Sequence, residues 1–232
     1  MKNVLITGVG SGFGKAIKNK FAAHNYNIFA LTKTKLKKNE NFKPYFCDFK
    51  KINSINAKLT KILKINKSFD FIILNAGSLG PIDLTKNISI NKIKEVLDIN
   101  LFANKIIIDN ILLKKIKFKS LIAISSGASI STKFGWFSYS ASKVTLRFLI
   151  ENYALENKKY HFINYTPGII NTNMQKKIRV INPKIIPSVR KFKILHQKNK
   201  IQSPDEAAKK LYLSLKNLLK LKSGSYIDAR DI

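Results

Sequence analysis

The feature that most restricts the fold is an alternation of short, almost wholly apolar runs with longer segments of helical periodicity, sustained along the chain. Runs at 3–7, 27–32, 44–47, 70–75, 120–125, 161–166 and 225–228 are rich in Ile, Leu, Phe and Val and read as strands. A strand that is apolar on both sides needs cover on both sides. The helical patterns at 12–24, 53–66, 89–117, 139–157 and 204–220 supply it. The last opens on "SPDEAA", with a serine cap, proline at the first helical position and acids in the first turn. This order predicts an α/β fold, a doubly wound, mostly parallel seven-stranded sheet with helices on both faces. A chain of 232 residues fits one such domain spanning 1–232. Two segments leave the rhythm, 78–88 and 171–203, and in an open parallel sheet ligands bind beyond the carboxyl ends of strands that feed such segments. The second is expected to cover the substrate over about 173–202.

Composition bears on partners. The formal net charge is +30, with arginine only at 147, 179, 190 and 230. Lysine, asparagine and isoleucine share A/T-rich codons, so compositional drift accounts for all three, whereas a polyanion-binding face accounts for lysine alone. Nucleic acid is therefore not the expected partner, although attraction towards phosphorylated ligands is. Cys47 is the single cysteine, which excludes an intrachain disulfide and suits a reducing, cytoplasmic setting. No signal peptide, membrane span or metal site is expected.

The run "ITGVGSGFGKAI" at 6–17 joins the first strand to the first helix. Gly8 begins the turn, Gly12 lets backbone N–H groups approach a phosphate, and Gly14 lets the helix lie close on the strand. The helix N-terminus would add partial positive charge towards a pyrophosphate. The spacing is T-G-x-x-x-G-F-G rather than G-x-G-x-x-G, with Gly10 extra. The second strand ends "FALTKTKLKK". A carboxylate at its tip would suit the ribose diol of NAD, but Thr32 and Lys33 stand there, so NADP(H) is favoured over NAD(H).

"YSASK" places Tyr139 and Lys143 four apart, on one face of a helix. An ammonium near the phenol favours phenolate, which would lower the tyrosine pKa and suit it to proton transfer. Thirteen residues earlier, Ser126 stands at the end of a strand, with Ser125 as its neighbour and rival. Asn100 and the "NAG" of Asn75, Ala76 and Gly77 complete a set that resembles the short-chain dehydrogenase/reductase family. The resemblance covers essentially the whole chain and implies a Rossmann fold.

By that resemblance the catalytic residues are Asn100, Ser126, Tyr139 and Lys143. The implied cofactor contacts are Gly8, Ser11, Gly12, Phe13, Gly14, Lys33, Asp48, Phe49, Asn75, Ala76, Gly77, Tyr139, Lys143, Pro167, Gly168, Ile170 and Thr172. Tyr139 would exchange the proton on the substrate oxygen while Ser126 hydrogen-bonds it. Lys143 would hold the nicotinamide ribose, and Asn100 would position a relay water. NADP-preferring members often carry a basic residue where this chain has Ser11, which leaves Lys33 as the main positive candidate. "TPGIINTNMQ" and the terminal "SGSYID" are similar to the sepiapterin and benzil reductase branch. Met174 and Asp228 are the further substrate contacts that this implies, and the substrate would be a small ketone, dicarbonyl or pterin side chain. The family also implies a homodimer or homotetramer. A different reading of the chain is a non-catalytic NADP-binding regulator with a basic partner surface.

Overall fold

The computed structural model describes residues 2–232. Seven strands form one sheet: β1 (Lys2–Thr7), β2 (Tyr26–Thr32), β3 (Phe42–Phe46), β4 (Ser68–Leu74), β5 (Lys117–Ile124), β6 (Phe162–Thr166) and β7 (Tyr226–Asp228). Their order is β3-β2-β1-β4-β5-β6-β7, and neighbouring strands pair in parallel. The chain runs outwards from β1 to β3, then returns to β4 and runs outwards the other way. This leaves a topological switch between β1 and β4, where the crossovers part to opposite faces.

Residues of β1 explain the two covered faces. Val4 and Ile6 pack with Phe13, Ile17 and Phe21 of α1 (Gly12–Ala22) and with Leu211 and Leu215 of α8 (Pro204–Leu218). Leu5, between them in sequence, belongs to the opposite layer. There it joins Leu59 and Ile62 of α2 (Ile55–Ile65), Ile107 and Ile111 of α4 (Ala103–Leu113), and Leu146 and Ile150 of α5 (Phe137–Glu156). A period of two in the strand thus distributes one apolar run between two cores. All these side chains are buried, and each such burial contributes about 1.5–3 kcal/mol. The expected start of α8 is present as a capping box. Ser203 Oγ accepts from the Glu206 amide at 3.2 Å, and the Glu206 carboxylate accepts from the Ser203 amide at 2.7 Å.

One expected element is divided. The sequence predicts one helical stretch over 89–117, and within it the chain forms α3 (Ile90–Leu97), a π-helical turn at Asp98–Phe102, and then α4. The wider turn brings Asn100 inward, where its side chain is bound by residues of two other segments. Beyond α4 the backbone reverses at Lys115, whose φ is 50°, and β5 begins at Lys117, earlier than expected. The cover segment folds into two short helices, α6 (Asn173–Arg179) and α7 (Arg190–Gln197).

Candidate active site

The site begins where β1 and β4 end. Thr7 Oγ1 accepts from the amides of Asn75 and Ala76, both at 2.9 Å, while Asn75 Nδ2 donates to the carbonyls of Thr7 at 3.1 Å and Gly8 at 3.0 Å. These bonds tie the two strand ends together across the switch. Gly8 and Gly12 have φ of 74° and 51°, a region that side-chain-bearing residues rarely adopt. At Gly14 a Cβ would stand 2.0 Å from the Gly8 carbonyl oxygen, which is the close helix–strand approach the sequence predicts. The extra glycine has a partner that sequence reasoning missed, since a Cβ at Gly10 would meet Thr34 Oγ1 at 2.1 Å.

A cleft of about 1140 Å³ opens along these strand ends. Each expected cofactor contact lines it, from Lys33, Asp48 and Phe49 at one side, through the glycine turn and Asn75–Gly77, to Pro167, Gly168, Ile170 and Thr172. The residues present fit a dinucleotide. Ser11 leads into α1 without a side-chain cap, the first turn holds no acid, and glycines keep the wall at backbone level. An uncapped N-terminus of this kind attracts phosphate. Lys33 is exposed just beyond β2.

Ser126 follows β5, and its Oγ accepts from the Ala128 amide at 3.1 Å. Tyr139 and Lys143 share a face of α5, with 8% and 5% of their surface exposed. Lys143 Nζ donates to the Ile124 carbonyl at 2.7 Å, and burial brings its pKa down to about 8. The expected depression of the Tyr139 pKa is corrected: burial pushes the phenol up, and the neighbouring Ser126 hydroxyl opposes that shift. The physical reason lies in the placement of Lys143, which turns its ammonium to the β5 carbonyl, 5.9 Å from the Tyr139 ring centre.

Asn100 lies behind the cleft wall, fully buried. Its Oδ1 accepts from the Ser78 amide at 2.7 Å, and its Nδ2 donates to the Ser78 carbonyl at 2.8 Å and Ser142 Oγ at 2.9 Å. Ser142 Oγ in turn donates to the Tyr139 carbonyl at 2.7 Å. The carbonyl of Asn100 accepts from Asn104 Nδ2 at 2.8 Å. The Asn100 side chain is therefore committed to bracing the turn that carries Tyr139. Ser142 and Asn104 were not anticipated; Ser142 sits inside "YSASK", and Asn104 follows Asn100 by one helical turn, the only signals available.

On the substrate side Met174 lines the cleft and packs with Trp136 and Tyr139. Thr172 caps α6, its Oγ1 accepting from the Gln175 amide at 3.3 Å. Gln202 donates to the Pro167 carbonyl and bridges Ile170, so the far end of the cover is fastened beside the Pro167–Gly168 turn. Asp228 is the exception among the expected contacts. Its carboxylate accepts from Arg230 Nε at 2.9 Å and Nη2 at 2.6 Å, and that guanidinium holds its pKa below the usual range. Arg230, not Asp228, lines the cleft. A basic residue two positions after the acid was the signal for this pair.

Residues 2–181 match the sequence profile of the short chain dehydrogenase family, and the chain belongs to that family. A benzil reductase that forms (S)-benzoin, from Bacillus cereus, is 26% identical over 94% of this chain and 94% of its own length. The sepiapterin reductase of Rattus norvegicus is 29% identical over 49% of this chain and 43% of its own length. Both fall in the branch that the sequence resembles. Among solved structures, a short-chain dehydrogenase/reductase from Saccharomyces cerevisiae superposes with a TM-score of 0.87 at 23% identity, covering 100% of this chain and 97% of that one.

Proposed function

We propose that this oxidoreductase is an NADPH-dependent carbonyl reductase, acting on a small ketone, dicarbonyl or pterin side chain, with Tyr139 as the proton donor. The observation that carries the reading is the convergence of Ser126, Tyr139 and Lys143, the last two buried, on the cleft that starts at the glycine turn. When bound, NADPH supplies the hydride that reduces the carbonyl carbon. Tyr139 holds the proton that the resulting oxygen takes up, and Ser126 donates a hydrogen bond that fixes that oxygen beside the phenol. The pKa of Tyr139, raised by burial, keeps the phenol protonated until the oxygen beside it becomes basic. Lys143 brings positive charge to the same chamber and is placed to hold the ribose next to it. Asn100, through Ser142, keeps the α5 turn in register.

The preference for NADPH rests on the tip of β2, where Thr32 is followed by exposed Lys33 and no carboxylate stands. Asp48 follows β3 instead, with its Oδ1 accepting from the Lys50 amide at 3.1 Å, and would face the adenine. Benzil-type 1,2-diketones are the first substrates to try, as the named activity of a relative that spans the chain. The chain is expected to act in the cytoplasm as a homodimer or homotetramer, through α4 and α5. These helices leave Leu113 80% and Leu155 60% exposed. Oxidation of NADPH and NADH against benzil, other 1,2-diketones and sepiapterin tests the reading. Turnover with NADPH supports it, and indifference between the two cofactors removes the role given to Lys33. Light scattering of the purified protein tests the assembly, a monomer at micromolar concentration being the contrary result.

A further inference from the structure

The far end of the cleft has a feature that the reductase reading does not use. Segments 131–136 and 188–192 meet there in a seam. Trp136 Nε1 donates to Ser188 Oγ at 2.9 Å, Ser188 Oγ donates to the Phe134 carbonyl at 2.8 Å, and the Trp136 and Phe192 rings stack with centres 5.5 Å apart. The Trp136 ring also stands edge-on to Tyr139, with centres 6.0 Å apart. A run of aromatic rings therefore leads from the reacting phenol to the seam.

Lysines flank the seam on both sides. Lys133, from the first segment, and Lys191, from the second, both line the cleft, as does Lys177 of α6. Lys133 is half-buried, with its Nζ donating to Ser131 Oγ at 3.0 Å. Among the described residues, none of the three lysines forms an ion pair. Burial and the neighbouring Lys191 hold the Lys133 pKa down, the mark of cations crowded without a counter-ion. The carboxylates that line the cleft, Asp48 and Glu95, belong to its opposite side, where Glu95 is paired with Lys50 at 2.5 Å. Asp83, whose backbone meets Gly135, has its carboxylate occupied by Leu84 N and Asn87 Nδ2. Surface lysines are common in this chain, but these two stand at a packed aromatic junction beside the reactive tyrosine.

We propose that the substrate carries an anionic group, a carboxylate or phosphate, at the end of a flat apolar body remote from its carbonyl, and that Lys133 and Lys191 receive it. This deepens the reductase reading and rests on it for the identity of the reacting end. The run of rings holds the body, and the carbonyl reaches Ser126 and Tyr139. Neutral diketones would then be substrates that leave the cationic end unused.

A matched pair of probes tests this: benzil bearing a 4-carboxylate and the same molecule bearing the neutral 4-carboxamide. Trp136 is the only tryptophan in the chain, so quenching of its fluorescence reports binding at the seam whether or not turnover follows. The expected result is a preference for the carboxylate on the order of tenfold at low salt, shrinking as ionic strength rises. In the Lys133→Met, Lys191→Met double variant the carboxylate-to-carboxamide ratio should fall towards one. The salt dependence of the native protein gives a separate reading should that variant fold poorly. Equal binding of the two probes, or a preference that salt and the double variant leave intact, would overturn the proposal. Selective, salt-sensitive binding without any NADPH oxidation would uphold the anion site and refute the reductase reading instead.

Discussion

Tyr139 and Lys143 lie in the floor of the cleft with 8% and 5% of their surface exposed, whereas α7 in its cover contributes no buried residue. The floor is cross-braced over long sequence distances. Thr7 holds Asn75 and Ala76, Asn75 holds Gly8, and Asn100 holds Ser78 and Ser142. The cover is attached by the Trp136–Ser188 and Gln202–Pro167 bonds and by Ile178, Ile186 and Val189, which join Trp136 and Tyr139 in a small apolar cluster of their own. A proton donor and a hydride acceptor need positions held to fractions of an ångström, which a close-packed floor provides. A surface that selects among substrates gains from being replaceable without disturbing that floor. The contrast predicts that changes to the floor damage folding and chemistry together, while changes to the cover alter binding.

The largest effect is expected at Gly14→Ala. Its Cβ would stand 2.0 Å from a backbone oxygen, so the turn must open, with a loss of about 3 kcal/mol or more in chemical denaturation and loss of NADPH binding. Survival of both would show that the turn is looser than the geometry indicates. Asn100→Ala comes next. It strips partners from the Ser78 amide and carbonyl in the interior, which should cost about 2–4 kcal/mol, read as a lower midpoint together with a fall in kcat.

Titration of Lys143 sharpens the comparison further. Its pKa in the fold is about 8 against 10.5 for the free side chain, so between these values the unfolded chain holds more protons. Burial of the ammonium therefore opposes folding below about pH 8, and stability gains as pH rises from about 8 to 10.5. Thermal melts of the native protein and Lys143→Met over that window should show the native protein gaining relative to the variant. Reductive kcat should fall as pH rises through about 8, where the ammonium of the folded protein is lost. The smallest effect belongs to the cover: Ser188→Ala removes the acceptor for Trp136 Nε1 and should cost about 1 kcal/mol. It should raise KM several-fold and leave kcat within about twofold, and a kcat loss as large as that of Asn100→Ala would erase the distinction between floor and cover.

The sequence made the floor legible only where its information is local. Gly8, Gly12 and Gly14 declare a turn because of what glycine permits, and Tyr139 and Lys143 declare a shared face because four residues are one helical turn. The π-helical turn around Asn100 was not legible, because it depends on Ser78 and Ser142, which are far away in the chain. Asp228 reads as a lone acid beside a ligand until folding puts the Arg230 guanidinium against it. The cover reads as a basic, mixed helical pattern without element bounds, because α6 and α7 are short and rest mainly on the cleft residues beneath them. For the π-helical turn and the cover the missing information is a tertiary contact; for Asp228 it is the direction taken by a side chain two residues away.

The most direct test of the account is single-turnover reduction of benzil by NADPH in the native protein and in Tyr139→Phe, with NADPH binding measured separately by fluorescence. The account predicts that the variant binds NADPH with unchanged affinity within about twofold and loses on the order of 10²–10⁴ in the reduction rate, since only the donated proton is missing. Reduction by Tyr139→Phe at the native rate would contradict it, because the proton would then come from another group and the floor of the cleft would not be the catalytic centre.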